Sequence, residues 1–411
     1  DPDLTRSVKK IKSSCQWVLA EDRSSLVDSV RPYPSVNSPY SEQAPVLFGD
    51  SLYFNSIDKL YYRDKQRTYI SRIYKEGRLE LEMDVDEDSG QFISHPSFSP
   101  DGKYFLYTIA EYGEDQKIVS DIYFRIINQE GELGISRKMP AAINMPDYAD
   151  THPMLVGVDT SFHLYFASNR PGGKGGFDLW QATLSSDMQL VELKNLEELN
   201  TEDDEYSPFL NYNTNQLYFS SNGWPGYGGL DVFRVSINED TIPENLGPKL
   251  NTSLDELFFS MNENGSEVYF SSNRSGSQFL DEGFQSCCFD IYTAEVTECS
   301  INLLALIYDR TSEEMLNNAE LRVIDPETGA VVYSSSSEDN IFEVDLECDK
   351  EYFIESQKEG YDLYQLDFLP SNFSYGRENE IIRKIYLNPS IYDLDLTVLS
   401  SDTGLPLDSL D

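Results

Sequence analysis

The chain writes one sentence several times. Residues 205–233 read EYSPFLNYNTNQLYFSSNGWPGYGGLDVF, and residues 150–180 read DTHPMLVGVDTSFHLYFASNRPGGKGGFDLW. A looser copy, FISHPSFSPDGKYFLYT, starts at Phe92. An anchor residue sets the register: Pro45, Pro96, Pro153, Pro208 and, in a fifth copy, Phe259, at steps of 51 to 57 residues. A second anchor is the Asp that opens a later strand: Asp58, Asp121, Asp178, Asp231 and Asp290. A fixed period names an architecture before any single residue is interpreted. It also argues against catalysis by a repeat residue, because a catalytic group breaks a repeat rather than following it.

Each copy alternates apolar and polar residues in short runs. Leu217, Phe219 and Ser221 point one way, and Tyr218 and Ser220 the other. That is strand periodicity. Turn chemistry breaks the runs at Ser99-Pro100-Asp101-Gly102, Asn264-Gly265, Gly175-Gly176 and Gly228-Gly229. A unit of this length with about four short strands is one propeller blade, whereas a solenoid uses a shorter repeat. A short Asn-containing phrase separates the copies: Ile143-Asn144, Leu199-Asn200 and Leu250-Asn251. Its counterpart Val36-Asn37-Ser38 precedes the first copy, and none follows the fifth. Residues 26–37 are therefore expected to supply the outer strand of the last blade, which removes two open sheet edges.

The 411 residues divide into four regions. Residues 1–25 read as a helix whose Leu4, Val8, Ile11, Cys15, Val18 and Leu19 form one apolar face. That face must pack on the propeller, on a partner or on further helices. Residues 26–298 are the five-bladed β-propeller. Residues 299–388, with runs such as INLLALIYD and AELRVID, read as a small β-sandwich. Residues 389–411 read as a linker or the start of a further domain. The fold class is mainly β. No apolar run approaches the length of a membrane helix. The chain opens Asp-Pro-Asp rather than with a basic, apolar leader, so no signal peptide is expected. The formal net charge of −41 makes nucleic acid an unfavourable partner. Basic protein patches or divalent cations suit it better, and acidity that serves only solubility suits it equally. The five cysteines lack zinc-site spacing, and only His95, His152 and His163 are available beside them. A disulfide is their better use in an oxidising compartment.

These phrases add up to a resemblance. The repeat resembles the TolB-type, WD-like propeller repeat, with Pro96 through Gly102 as the nearest copy. Cys299–Tyr361 resembles a carboxypeptidase-regulatory-like, transthyretin-like domain. Asp309 and Thr311, Ala319 and Leu321, Asp325 with Thr328 and Gly329, and Tyr352 through Lys358, Gly360 and Tyr361 carry that pattern. The helix is similar to the end of a tetratricopeptide region. In this order the parts resemble PorE-like, OmpA-family envelope proteins of Bacteroidota. The resemblance implies a periplasmic, outer-membrane-associated protein whose partners are other envelope proteins, among them the type IX secretion system. It also implies a disulfide between Cys299 and Cys348, which hold the places where such domains carry a cysteine pair. Cys15, Cys287 and Cys288 receive no pairing. No OmpA-like peptidoglycan-binding segment follows residue 390, so peptidoglycan binding is not assigned to this chain.

The candidate chemistry is sparse. Three residues before the anchor stand Glu42, Asp150, Glu205 and Glu256, with Ile93 in the second copy. They could form a cation site or a glycosidase-like carboxylate pair. The plainer role is to accept backbone hydrogen bonds and lock neighbouring blades. His95 and His152 share a repeat position; a metal pair is one reading, and tolerance of a polar residue beside the anchor is the plainer one. The Gly-rich loops at Arg170–Gly176 and Trp224–Gly229 precede no helix, so they do not cradle phosphate. Their Arg170, Lys174, Trp224 and Tyr227 are expected to be exposed contact residues for a protein partner. No G-x-S-x-G motif is present. The reading is a non-catalytic envelope scaffold, with no catalytic residue, no resident metal and no cofactor beyond a divalent cation. The alternative is a carbohydrate-binding or carbohydrate-active propeller that uses the acidic ring.

Overall fold

The computed structural model describes residues 2–20, 25–63, 66–83, 90–113, 117–158, 161–237, 242–277, 289–297, 300–326, 328–337, 341–347, 350–370 and 378–390. The chain divides between Glu298 and Cys299 into two compact units. It is mainly β, with one helix and several small sheets. Among the described residues no helix is long and apolar enough to cross a membrane.

The first unit opens with α1 (Pro2–Ala20) and β1 (Val27–Pro32). Four antiparallel sheets follow in chain order. They are β2 (Glu42–Phe48), β3 (Ser51–Arg63), β4 (Gln66–Lys75) and β5 (Leu79–Glu80); then β6 (Phe92–Phe98), β7 (Tyr104–Tyr112), β8 (Ile118–Ile126) and β9 (Arg137–Lys138). Next come β10 (Asp150–Val158), β11 (Ser161–Ser168), β12 (Asp178–Ser185) and β13 (Leu190–Asn195); then β14 (Glu205–Asn211), β15 (Gln216–Ser221), β16 (Asp231–Ser236) and β17 (Glu244–Asn245). The fifth sheet joins β18 (Glu256–Met261), β19 (Glu267–Ser272) and β20 (Asp290–Val296) to β1, in the order β1-β20-β19-β18. The chain's first strand thus completes its last sheet, as the missing sixth Asn phrase anticipates. The first strands β2, β6, β10, β14 and β18 each neighbour the next, and β18 neighbours β2. The five sheets therefore close into a ring.

The apolar core lies between successive sheets. Leu106, Ile122 and Phe124 of one sheet pack with Leu155, Phe166 and Trp180 of the next. Leu52, Phe54 and Tyr74 meet Tyr269 and Ile291 across the closing seam. The repeated Asn latches four of the five seams. The Asn200 side chain accepts from the Leu179 N–H at 2.7 Å and donates to the Leu179 carbonyl at 2.9 Å. Asn144 does the same to Ile122, and Asn251 to Val232. Asn37 closes the ring by binding Ile291 of β20 through the same pair, each at 2.8 Å.

Helix α1 docks by an unexpected face. Arg6 and Lys10 pair with Asp203 at 2.7 and 2.9 Å, the Ser14 hydroxyl accepts from the Gly226 N–H, and Trp17 packs edge-on against Tyr227. These residues recur at spacings of four, four and three, one stripe of a helix. The apolar stripe does not pack on the ring: Val8, Ile11 and Leu19 are 57%, 63% and 85% exposed. Opposite charge on the acidic turn at Glu202–Asp203 selects the basic face instead.

The second unit holds a sheet of β24-β21-β27 and a sheet of β23-β22-β25-β26. These are β21 (Ser300–Asp309), β22 (Ala319–Ile324), β23 (Val331–Ser337), β24 (Ile341–Glu347), β25 (Tyr352–Gln357), β26 (Tyr364–Phe368) and β27 (Glu378–Leu387). β21 pairs with β27 in parallel and with β24 antiparallel. Cys299 and Cys348 lie outside the described residues, as do Cys287 and Cys288. Cys15 is a free, exposed thiol.

The Asn37→Ala variant would leave the N–H of the fully buried Ile291 without a partner, while its carbonyl keeps the Tyr33 N–H. It should lower stability by roughly 1–3 kcal/mol in urea titration and speed amide exchange along β20. A change below about 0.5 kcal/mol, the usual surface value, would contradict the latch.

Candidate functional site: the ring axis

Five residues stand immediately before the anchors: Ala44, His95, His152, Ser207 and Phe258. All five are left-handed, with φ between 53° and 56°. Each first strand also bulges there, between Gln43 and Val46, Ser94 and Ser97, Thr151 and Met154, Tyr206 and Phe209, and Leu257 and Ser260. A left-handed residue with a Cβ costs on the order of 1 kcal/mol, and a residue before Pro is further restricted. The strain recurs because the bulge bends every first strand at the same height on the axis.

Three rings converge there. The His95 and His152 centroids are 4.1 Å apart and the ring planes are perpendicular; Phe258 lies 5.2 Å from His95 and 5.0 Å from His152. The His152 Nδ1 accepts from the Ser207 N–H at 3.3 Å, so the neutral ring carries its proton on Nε2. The His95 Nδ1 pairs with the Thr151 hydroxyl at 2.9 Å, and the His95 N–H donates to Asn55 Oδ1. Burial pushes the His95 imidazole down to about 3 and lowers His152 well below the usual range, with His95 adding to the effect on His152. Part of each ring still borders a cavity of about 270 Å³ on the axis.

The cavity mouth is built from the turns that follow the first strands. Phe48 and Phe98 stack there at 4.1 Å, and Phe209, Tyr212, Asn213, Asn262 and Glu263 complete that side. Met154, Met261 and Ser207 line it deeper in. Ser207 is buried, and its hydroxyl has no hydrogen-bond partner. Among the described residues the lining carries no Lys or Arg, and Glu263 is its one carboxylate.

The acidic ring lies elsewhere and is chemically occupied. Glu42, Asp150, Glu205 and Glu256 are fully buried and absent from the cavity lining. The Glu256 carboxylate accepts from the Thr252 N–H and hydroxyl, the Ser272 hydroxyl and Arg274. Glu42 takes Ser38, Ser56 and Arg78 in the same way, and Asp150 takes the Met145 N–H, Ser168 and Arg170. Glu205 takes the Thr201 N–H and hydroxyl and the Ser221 hydroxyl, and has Gly223 where its neighbours have an Arg. Burial raises the Asp150 and Glu205 carboxyls, and Arg170 pulls Asp150 back. Each carboxylate fastens its own strand to the turn before it, so the ring is not a hydrolytic pair.

Of the Gly-rich loop residues, Lys174 is exposed as expected, Trp224 and Tyr227 are half-buried, and Arg170 is corrected. Arg170 is buried, not exposed: its guanidinium pairs with Asp150 at 2.5 Å and bonds the Ala142 and Ile143 carbonyls. The Lys174 Nζ donates to the Glu197 carbonyl, the Trp224 Nε1–H to the Leu199 carbonyl, and Tyr227 packs on Trp17. The glycines let each loop clasp the acidic turn of the next sheet. A Cβ at Gly175 would strike the Asp203 carbonyl, and one at Gly228 the Thr252 carbonyl. Among the described residues no group of three or more His, Cys, Asp or Glu side chains is placed to hold a metal.

The repeat brings Ala44, His95, His152 and Ser207 to one position from the sequence alone, but Phe258, Tyr212 and Glu263 were missed. A signal was available, because the position before the anchor changes chemical class from copy to copy.

No family model matches the chain, and no curated protein matches it. Solved structures similar to it include an α-L-arabinofuranosidase from Lactobacillus brevis, with 10% identity and a TM-score of 0.43 over 64% of this chain and 92% of that one. A thermostable family-43 glycoside hydrolase matches with 10% identity and a TM-score of 0.39, over 64% and 91%. An exo-β-1,3-galactanase from Clostridium thermocellum matches with 14% identity and a TM-score of 0.40, over 81% and 80%. Likeness at this level fixes neither substrate nor catalytic residues. It does correct the resemblance drawn from sequence: the similar structures are glycoside hydrolases, not PorE-like, OmpA-family or TolB-type proteins. The non-catalytic scaffold, the type IX secretion and transport role, and the expectation that the chain is not an enzyme are corrected with it. The physical reason is that the phrases behind the resemblance encode packing. Ser99 and Asp101 form a turn, with a 2.7 Å hydrogen bond, and Asp309 caps its own turn by accepting from the Thr311 and Ser312 N–H groups. Turn chemistry of this kind serves any chain with the same bends.

Acid titration tests the histidine pair. Above pH 6.5 both rings are neutral whether the chain is folded or not. Below it the unfolded chain binds protons that the folded chain refuses, so stability is lost as pH falls from 6.5 toward 3. Asp231 acts in the opposite sense, since burial pushes its carboxyl up from 3.8 to about 7 and folding is then favoured on the acid side. Comparing His152→Asn with the parent isolates the imidazole. The variant should lose about 1.4 kcal/mol per pH unit of acid sensitivity in urea titrations between those limits. An unchanged slope would show that His152 is free to charge in place.

Proposed function

We propose that the ring of five sheets is a five-bladed β-propeller directed at carbohydrate, with the axial cavity as the sugar site. The two sheets of the second unit are read as a small β-sandwich, because alternate residues of β22, β24 and β25 are buried on one face. The observation that carries the sugar reading is an axial cavity that sets aromatic rings beside polar side chains at its mouth. A saccharide ring presents apolar C–H faces and hydroxyl edges together. Phe98, Phe209 and Tyr212 suit the faces, while Asn213, Asn262 and Glu263 suit the hydroxyls. A mostly apolar pocket with a few polar groups is the usual form of a small-molecule site. The acidic ring plays no part, because its oxygens are committed to Ser, Thr, Arg and backbone donors.

Calorimetry with a panel of neutral oligosaccharides tests this, with release of reducing sugar followed on the same panel. Tyr212→Ala should weaken binding about tenfold, the scale of one aromatic contact. A Tyr212→Ala protein that binds as tightly as the parent would refute the site, as would a parent chain that binds no oligosaccharide.

A further inference from the structure

The same cavity carries a charge asymmetry that narrows its ligand, and the inference rests on the sugar reading above. Its lining holds no cation, and the chain bears a formal charge of −41. A uronic acid entering the mouth would meet repulsion without a Lys or Arg to offset it. Glu263 is exposed on the rim, and no ion pair or hydrogen bond occupies its carboxylate among the described residues. This contrasts with the ring carboxylates, all of which are saturated. Tyr212, 45% exposed, stands on the turn between β14 and β15, and Glu263 on the turn between β18 and β19. The strand ends that lead into these turns lie together, since Asn211 Nδ2 is 3.9 Å from Met261 Sδ. An accessible aromatic ring and an uncommitted carboxylate on neighbouring turns form a receptor for an ammonium group: the carboxylate accepts a charge-assisted hydrogen bond and the ring face attracts the cation. The imidazoles deeper in stay neutral and add no opposing charge.

We propose that the axial cavity selects amino sugars in their protonated form, with Glu263 as the specificity-determining residue and Tyr212 beside it. The sugar ring lies against the aromatic lining, while the ammonium stays at the rim in partial contact with water.

The test uses the full chain, calorimetry in mildly acidic buffer, and a matched pair of probes: an N-acetylglucosamine tetramer and its fully deacetylated counterpart. An oligogalacturonate of the same length and a set of neutral oligosaccharides complete the panel. The deacetylated tetramer should bind about tenfold more tightly than the acetylated one, the scale of one hydrogen bond to a charged group. Glu263→Gln should bring the ratio of the two affinities close to one; the residue lies on an exposed turn, so folding is preserved. Equal or tighter binding of the acetylated tetramer would overturn the selectivity and leave the sugar site standing. So would comparable binding of the oligogalacturonate, or binding confined to other neutral sugars. An advantage that survives Glu263→Gln would show general attraction of a polycation to an acidic chain and would overturn the role of Glu263. Failure of every saccharide to bind would remove both the selectivity and the sugar site.

Discussion

One asparagine amide, used four times, holds the ring together. At four of the five seams it accepts from the N–H, and donates a further hydrogen bond to the carbonyl, of the residue after the Asp anchor in the preceding sheet. The carbonyl also accepts a backbone N–H, from Met139, Leu196, Leu246 or Tyr33, so the N–H is the group that depends on the amide, and leaving it bare would cost more than the bond itself contributes. Asn37 makes the fourth latch across the seam that β1 also closes. Through Asn37 the start of the first unit is held to its end, and the axial geometry depends on that closure.

Charge and strain are then distributed around the ring. Each carboxylate of the acidic ring sits where its oxygens meet an N–H from the preceding turn and a hydroxyl from the end of the second strand. That arrangement uses up the residues that look most like chemistry. The left-handed positions do the reverse. Their backbone is dictated by the bulge, so the side chain is free to vary without disturbing the ladder. The ring can therefore place Ala, His, Ser or Phe at the axis in different sheets and shape a cavity there.

This division explains what was legible in the sequence. The period, the five copies and the borrowed outer strand could be read because they follow from strand alternation and turn residues such as Asn264-Gly265. The buried destination of Arg170 could not, because a guanidinium beside glycines looks like an exposed loop until Asp150 is seen next to it. The helix misled for a related reason. Its apolar stripe is the stronger pattern, but ion pairs to Asp203 decide which face docks. Tyr212 and Glu263 were hidden because they stand on turns between strands, where their meeting depends on two neighbouring sheets closing around one axis. Family resemblance failed at the same point, since the shared phrases describe turns and not the axis.

The most direct test of the axial site is methyl NMR of the methionines during titration with an oligosaccharide. Met154 and Met261 line the cavity, whereas Met139 and Met188 belong to the core between two sheets. The account predicts saturable shifts of the Met154 and Met261 methyl signals with Met139 and Met188 unmoved. Shifts spread evenly over all four, or confined to methionines away from the axis, would contradict it.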